Sequence, residues 1–218
     1  MMTLKFEANQ LRAYFVCGTQ DVVGQSLVTV VDQALAAGIT AYQFRDKGAS
    51  QLTTAARYQL GQELREHCAA AEVPFIVDDD VDLALALQAD GIHVGQSDDQ
   101  VQRVLEQVGQ QMFVGLSCST LAEVEQANQI AGIAYLGSGP IFPTTSKLDA
   151  DPVVGLAGLA QLVQVSHYPI VAIGGITENE LPAIAATGAA GAAVISMLAN
   201  SDDYQRTVWA MLAAPFEE

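Results

Sequence analysis

Short apolar runs alternate with longer segments of helical periodicity from one end of the chain to the other. The apolar runs predict eight strands, at Arg12–Val16, Ala41–Phe44, Phe75–Val77, Gly91–Val94, Phe113–Leu116, Ala134–Gly137, Ile170–Ile173 and Ala192–Ile195. The periodic segments predict helices at Ser26–Ala37, Leu52–Ala71, Val81–Gln88, Gln100–Val108, Leu121–Ile130, Leu156–Val165, Glu178–Ala186 and Asp203–Ala213. Because eight β–α repeats close a parallel barrel, we predict an α/β fold, a single (β/α)₈ TIM barrel over residues 1–218.

An open, doubly wound parallel sheet is the alternative fold. It predicts fewer strands and a glycine-rich turn after the first strand. The turn that follows Val16 reads Cys17-Gly18-Thr19-Gln20 and lacks the G-x-G-x-x-G pattern, so the barrel is favoured.

Composition and charge indicate which kinds of molecule this protein is expected to bind. Half of the 218 residues are hydrophobic, which is enough for a large core, yet no apolar stretch is long enough to predict a membrane span. Twenty-five acidic and nine basic residues give a formal charge of −16, which disfavours nucleic acids and acidic membranes. The cysteines, Cys17, Cys68 and Cys118, have no paired spacing, so we expect free thiols in a soluble cytoplasmic protein. Homo-oligomer formation stays open.

Loops that follow the strands of a parallel barrel share one rim, where residues distant in sequence meet. Carboxylates follow the third and fourth predicted strands, and adjacent carboxylates are suitable ligands for Mg²⁺. We select Asp79 and Asp98 as the metal pair. Helix capping by Asp80, Asp98 or Asp99 is an equally strong interpretation, although repulsion among three consecutive carboxylates favours a nearby cation.

Arg45 and Lys47 follow the second predicted strand with a spacing of two, so both should point to the same side and could hold an anion. The arginines of the predicted outer helices are instead expected to be solvated, namely Arg57, Arg65 and Arg103.

The segment from Pro140 to Pro152 is the longest without periodicity and is a candidate lid. Lys147 in this segment, taken alone, is equally well interpreted as a solvated loop lysine or as a functional one. The neighbouring hydroxyls of Thr144 and Ser146 favour a functional role.

The loops after the last two strands suit a phosphate. Gly174-Gly175 permits close backbone approach, and Ile195–Ser196 follows the last strand, where barrels of this kind commonly bind phosphate. Thr177 and Glu180 form a T-x-x-E capping box for the next helix. A tight turn that merely needs glycine is the alternative.

Two potentially reactive side chains are given structural interpretations. His93 lies within a strand pattern, which favours a packed, hydrogen-bonded core residue over a base. Cys118 lacks a convincing histidine partner, so a thiol nucleophile is disfavoured.

Taken in order, the motifs of these loops resemble the thiamine-phosphate synthase family. The resemblance rests on five fragments: Gln43-Phe44-Arg45-Asp46-Lys47, Asp79 before Val81-Asp82-Leu83-Ala84, Gly91-Ile92-His93-Val94-Gly95-Gln96-Ser97-Asp98, Gly139-Pro140-Ile141-Phe142-Pro143-Thr144-Thr145-Ser146-Lys147, and Val171-Ala172-Ile173-Gly174-Gly175-Ile176. The resemblance implies a (β/α)₈ transferase that couples hydroxymethylpyrimidine diphosphate to thiazole phosphate, with one Mg²⁺ per site, giving thiamine phosphate and pyrophosphate.

Residue roles follow from the resemblance position by position. Contacts to the pyrimidine diphosphate are implied for Gln43, Arg45, Lys47, Asp78, Ser117 and Lys147, and contacts to the thiazole phosphate for Thr144, Thr145, Ser146, Gly175, Ile195 and Ser196. Asp79 and Asp98 are implied as Mg²⁺ ligands. Arg45, Lys47 and Lys147 are implied to stabilise charge on the leaving group.

This chain departs from the family pattern at two positions. Asp78 stands where asparagine is common, and Ser146 where threonine is common. The serine keeps the hydroxyl, whereas Asp78 adds negative charge near the diphosphate. Two other functions are weighed: a metal-free thiazole tautomerase, disfavoured by Ser119 where a histidine is wanted, and a non-catalytic barrel that senses a phosphorylated ligand.

Overall fold

The computed structural model describes residues 5–96, 98–144, 146 and 152–216, and for residues 98–100 it describes the backbone alone. Eight strands run parallel and pair in chain order, and the last pairs with the first to close a barrel. They are β1 Ala13–Cys17, β2 Ala41–Phe44, β3 Phe75–Asp78, β4 Gly91–Val94, β5 Phe113–Ser117, β6 Ile133–Ser138, β7 Ile170–Ile173 and β8 Gly191–Val194. The predicted TIM barrel is therefore confirmed, and an open doubly wound sheet is ruled out.

Helices follow the strands on the outside of the barrel. They are α1 Leu27–Ala37, α2 Thr54–Ala70, α3 Val81–Leu87, α4 Asp98–Val108, α5 Leu121–Ala127, α6 Gly155–Val165, α7 Leu181–Ala185, α8 Ser196–Ala199 and α9 Tyr204–Ala213. The short helix α8 was not predicted. The 3₁₀ turns Ala8–Leu11 and Thr19–Asp21 were not predicted either. The predicted helix Glu178–Ala186 begins with a third 3₁₀ turn, Glu178–Glu180, before α7.

Side chains along each strand point alternately to the two faces of the barrel wall, which gives two apolar clusters. On β1, Ala13, Phe15 and Cys17 belong to the layer between barrel and helices, whereas Tyr14 and Val16 belong to the smaller cluster inside the barrel. Inward positions of the other strands complete that inner cluster, which includes Ala41, Ile76, Tyr135, Val171 and Ala193. Since the inner residues fill the barrel, the functional site is confined to its rim.

Close approach of the backbone closes the seam between β1 and β8. A Cβ atom on Gly191 would lie 1.8 Å from the carbonyl oxygen of Leu11, so only glycine fits there. In register, Tyr14 pairs with Ala193, which brings the ends of these two strands to the same level.

Arg65, on helix α2, is buried, although the sequence predicted a solvated side chain. The prediction that Arg65 is solvated is wrong: it is buried, and its Nη2 lies 3.4 Å from Asp90 Oδ1. Asp90 Oδ2 also accepts from the Phe75 amide at 2.9 Å, so the pair joins α2 to the start of β3. Arg103 is exposed, as predicted.

Over the described ranges, no helix combines the length and apolar character needed to cross a membrane.

Candidate active site

A cavity of about 260 Å³ opens at the carboxyl ends of the strands. Nine of the residues assigned to substrates line it: Gln43, Arg45, Asp78, Ser117, Thr144, Ser146, Gly175, Ile195 and Ser196. Thr145 and Lys147 lie outside the described residues, as do residues 148–151 of the candidate lid. Segments from six of the eight strand ends thus meet in one cavity, which is what the barrel topology requires.

Arg45, Lys47 and Asp78 form a charged cluster at this cavity. Lys47 Nζ lies 2.5 Å from Asp78 Oδ2, and Arg45 Nε lies 3.6 Å from the same oxygen. Arg45 and Lys47 therefore point to one side of the chain, as the spacing predicted. Partial burial tends to lower the pKa of Lys47, but the charge of Asp78 and hydrogen bonds to Asp78 and Asp79 outweigh it, so that the pKa is raised. The lysine is fully protonated at neutral pH.

Asp79 occupies a strained backbone position directly after β3. Its φ of 57° is in the left-handed region, which a non-glycine residue seldom adopts. The geometry is held by its amide, which donates to the His93 carbonyl at 2.8 Å, and by its carboxylate, which accepts from the Gly95 amide at 3.1 Å and from Lys47. Burial raises the pKa of Asp79, yet these bonds and the Lys47 charge lower it overall. Asp79 is thus presented ionised at the rim.

Asp80 caps a helix, which was the alternative to metal binding in the acidic run Asp78-Asp79-Asp80. Its Oδ1 accepts from the Leu83 amide at 3.0 Å, which caps α3, and its Oδ2 pairs with Arg57. The expectation that Arg57 is solvated is therefore wrong. The three consecutive carboxylates are held by cations of the protein itself, because Lys47 serves Asp78 and Asp79 while Arg57 serves Asp80.

The donors at this rim fit Mg²⁺. The Asp79 side chain is 40% exposed, so its carboxylate can accept a further partner. Asp98 begins α4, directly after the loop that follows β4, and its side chain lies outside the described residues. In the part of the chain that the structure describes, no group of three or more His, Cys, Asp or Glu side chains is arranged for a metal. Mg²⁺ does not need one, because it commonly takes one or two carboxylates and completes its shell with water and phosphate oxygens.

A continuous chain of hydrogen bonds lines the inner wall of the cavity. Gln43 Nε2 donates to the Tyr14 hydroxyl at 2.8 Å, which lies 2.8 Å from the Tyr135 hydroxyl. Tyr135 in turn lies 3.0 Å from His93 Nδ1, and His93 Nε2 lies 3.0 Å from Ser117 Oγ. Burial raises the pKa of both phenols, so they stay neutral. This chain fixes the two cavity-facing ends, Gln43 and Ser117.

The interpretation of His93 as a packed, hydrogen-bonded core residue is only partly correct. It is hydrogen-bonded, as expected, but it lines the cavity and is only half-buried. Three further cavity residues were not selected from the sequence, namely Tyr14, Gln96 and Glu123. Tyr14 and His93 carried a usable signal, since each is a polar-tipped residue within a strand of otherwise apolar character.

The opposite wall is formed where the end of β7 meets the segment after β6. Gly174 and Gly175 have φ values of 98° and 67°, and a Cβ on Gly175 would lie 2.6 Å from the carbonyl oxygens of Phe142 and Pro143. The amide of Phe142 donates to the Gly174 carbonyl at 3.0 Å, which joins the two segments. Glycine is therefore required here by both conformation and space.

The remaining predictions for this wall concern Thr177 and Ser146. The glutamate arm of the capping box is present, with the Thr177 amide donating to Glu180 Oε2 at 2.9 Å, and a 3₁₀ turn precedes α7. The Ser146 amide donates to Thr144 Oγ1 at 3.2 Å, which holds these two cavity residues together.

The closed parallel barrel and its charged rim define the class of a TIM barrel with a cavity at the carboxyl ends of its strands. Residues 13–198 match the family model described as thiamine monophosphate synthase. The chain belongs to this family.

Individual relatives agree with the family match. Thiamine-phosphate synthase of Lactiplantibacillus plantarum is 74% identical over 213 residues, which cover 98% of each chain. The protein of the same name from Levilactobacillus brevis is 63% identical over 98% of this chain and 99% of its own. Among solved structures, thiamine phosphate pyrophosphorylase from Pyrococcus furiosus superposes with a TM-score of 0.81 at 33% identity, covering 94% of this chain and 96% of that chain.

Proposed function

We propose that this chain is a transferase that condenses 4-amino-2-methyl-5-hydroxymethylpyrimidine diphosphate with thiazole phosphate, releasing thiamine phosphate and pyrophosphate. The observation that carries the proposal is the charged cluster of Arg45, Lys47, Asp78 and Asp79, of which Arg45 and Asp78 line the rim cavity. Membership of the thiamine monophosphate synthase family supports the same reaction.

The diphosphate is bound by Arg45 and Lys47. Both cations already face one another across Asp78, so an incoming diphosphate replaces a carboxylate as their partner. Lys147, outside the described residues, is the third cation of this group. Together the three cations offset the charge that grows on the departing pyrophosphate.

The pyrimidine ring lies deeper in the cavity, between Gln43 and Ser117. Both side chains are held from behind by the Tyr14–Tyr135–His93 chain, so their polar atoms are oriented before substrate arrives. An amide and a hydroxyl match the donors and acceptors of an aminopyrimidine.

Asp79 and Asp98 are the residues that hold Mg²⁺, with one ion per site. When bound, the ion screens the diphosphate charge and makes pyrophosphate a better leaving group. The low pKa of Asp79 keeps its carboxylate ionised for this purpose.

The thiazole phosphate is bound at the opposite wall by Thr144, Thr145, Ser146, Gly175, Ile195 and Ser196. The described members of this set line the cavity, and the backbone at Gly175 is free of a side chain that would keep a phosphate away.

In the reaction, the bond from the pyrimidine methylene carbon to the diphosphate oxygen breaks, and its electron pair leaves with pyrophosphate. The thiazole nitrogen then donates its lone pair to the cation-like methylene carbon and becomes positively charged. Proton transfer by a general base is not needed, which suits a rim supplied with cations and hydroxyls. Orientation of both rings by the cavity walls is the main contribution of the protein.

The partners of this reaction are two phosphorylated small molecules. We propose a cytoplasmic location, because Cys17 and Cys68 are buried free thiols.

Purified protein incubated with both substrates and Mg²⁺ tests the proposal. We expect thiamine phosphate and pyrophosphate in equal amounts, measured by chromatography and by a coupled phosphate assay. Isomerisation of the thiazole substrate without pyrophosphate release would favour a tautomerase instead, and binding without turnover would favour a sensor.

A further inference from the structure

The turn after β1 is hydrogen-bonded to the backbone of the segment that carries Arg45 and Lys47. Gln20 belongs to the 3₁₀ turn Thr19–Asp21, and its side chain reaches across to that segment. Gln20 Nε2 donates to the Arg45 carbonyl at 2.7 Å, and Gln20 Oε1 accepts from the Lys47 amide at 3.2 Å. One side chain therefore fixes a backbone group on each of the two cations proposed to bind the diphosphate.

The orientation of the Gln20 amide is determined by its partners. A backbone carbonyl can only accept and a backbone amide can only donate, so Nε2 must face Arg45 and Oε1 must face Lys47. A third contact agrees, because Nε2 also donates to Asp21 Oδ2 at 2.6 Å. Asp21 Oδ2 accepts in addition from the Gly18 amide at 2.9 Å, which holds the turn itself.

Asp46 provides the second attachment between the two loops. It lies between the two cations in sequence, is 7% exposed and accepts from the Thr19 amide at 2.9 Å and from the Thr19 hydroxyl. Ser50 Oγ donates to its other oxygen at 2.6 Å. Asp46 thus faces the neighbouring turn, while Arg45 and Lys47 face Asp78.

The two loops approach too closely for a side chain at Gly18, the residue directly before the turn. A Cβ on Gly18 would lie 2.0 Å from the Arg45 carbonyl oxygen, the same atom that Gln20 binds. The Arg45 amide also donates to the Cys17 carbonyl at 3.2 Å, which continues the β1–β2 pairing to this point. The position of Arg45 is therefore determined from both sides.

We propose that Gln20 is a positioning residue that holds Arg45 and Lys47 in place for the diphosphate substrate. This inference rests on the proposed function, and it assigns part of the diphosphate affinity to a side chain that does not itself line the cavity. Removal of the Gln20 side chain should weaken diphosphate binding selectively, because the thiazole phosphate is bound at the opposite wall.

Gln20→Ala tests this with Gln205→Ala as the matched control. Gln205 Nε2 also donates to a backbone carbonyl, that of Ala36 at 3.0 Å, but on the outer helices. For Gln20→Ala we expect the KM of the pyrimidine diphosphate and the Kd of inorganic pyrophosphate with Mg²⁺ to rise roughly tenfold or more, as small misplacements of binding groups do. The KM of thiazole phosphate should stay within about twofold of wild type. Gln205→Ala should leave all three constants unchanged.

Two results would overturn the inference: unchanged constants in Gln20→Ala, or an equal rise in both KM values, which would indicate general loosening. If Gln20→Ala does not fold, Gln20→Glu replaces it, since this variant keeps the acceptor for the Lys47 amide but loses the donor to the Arg45 carbonyl. Its expected effect has the same direction, and wild-type affinity in Gln20→Glu would contradict the role. Calorimetric titration of pyrophosphate requires no turnover, so a wild-type protein that binds pyrophosphate but forms no product would refute the proposed function and not the role of Gln20.

Discussion

Lys47 Nζ lies 2.5 Å from Asp78 Oδ2 and is also bonded to Asp79, so one ammonium group pairs with two carboxylates. Arg45 approaches the same Asp78 oxygen at 3.6 Å. Asp78 therefore competes with an incoming diphosphate for the two cations that are proposed to bind it.

Asp78→Asn is expected to tighten binding of the pyrimidine diphosphate, or to lower the Mg²⁺ concentration that gives half-maximal rate. The physical reason is that asparagine removes the carboxylate charge that Arg45 and Lys47 share, while Asp79 keeps Lys47 protonated. Because the groups are partly exposed, the change should be modest, roughly threefold. Steady-state kinetics with varied diphosphate and varied Mg²⁺ measure it.

Asp80→Asn is the control for this substitution. Asparagine can still cap α3 but loses the charge that pairs with Arg57, so stability should fall by no more than about 1 kcal/mol without a change in the diphosphate KM. Unchanged diphosphate and Mg²⁺ constants in Asp78→Asn would refute the competition.

Lys147→Ala is expected to lower kcat at saturating substrates, because it removes positive charge from the departing pyrophosphate. Loss of one preorganised charged donor typically costs about a hundredfold or more. Single-turnover measurement of pyrophosphate release isolates this step. Turnover equal to wild type would show that Lys147 has no part in the leaving-group chemistry.

Gly175→Ala is expected to raise the KM of thiazole phosphate and leave that of the diphosphate unchanged. The added Cβ would lie 2.6 Å from two backbone oxygens, so the wall of the phosphate site must shift. Gly188→Ala is the control, since it has a similar φ of 82° but its Cβ would meet only Val163 Cγ1, at 3.2 Å. Both variants should lose about 1 kcal/mol or more of stability. Equal KM effects in the two would argue against a phosphate site at Gly175.

Stability should fall as the pH rises above about 9. Burial raises the pKa of Cys17 and Cys68 far above the value near 9.0 of an unfolded chain. Above that value the unfolded state releases protons that the folded state retains, so the free energy of unfolding falls by about 1.4 kcal/mol per pH unit for each thiol.

Denaturant titrations between pH 8 and pH 10 measure this slope. Cys68→Ser should make this slope shallower, since one of the buried thiols is removed. A stability that does not change over this range would contradict the buried, protonated state of both thiols.

The barrel could be predicted because its strands are buried on both sides and are therefore mostly apolar. The predicted bounds of β2, β4 and β7 agree with the structure residue for residue. Helix α8 was missed because it has only four residues, too few to show helical periodicity, and is separated from the end of β8 by a single residue.

From the sequence pattern alone, the candidate site was predictable where residues follow a strand directly, as Arg45 and Lys47 do. Asp78, Thr144 and Ser146 were assigned from the family resemblance, and all three line the cavity. The contacts of Gln20 with the Arg45–Lys47 backbone were missed because they depend on the distance between two loops, which a sequence pattern does not contain. The burial of Arg65 was missed because its partner, Asp90, is 25 residues away.

A crystal grown with pyrophosphate and Mn²⁺, an anomalous scatterer that takes the same oxygen ligands as Mg²⁺, tests the central claim most directly. We expect one metal peak bound by Asp79 and Asp98, with pyrophosphate oxygens on the metal and on Arg45 and Lys47. Metal or pyrophosphate bound elsewhere, with Lys47 still paired to Asp78 and Asp79, would contradict it.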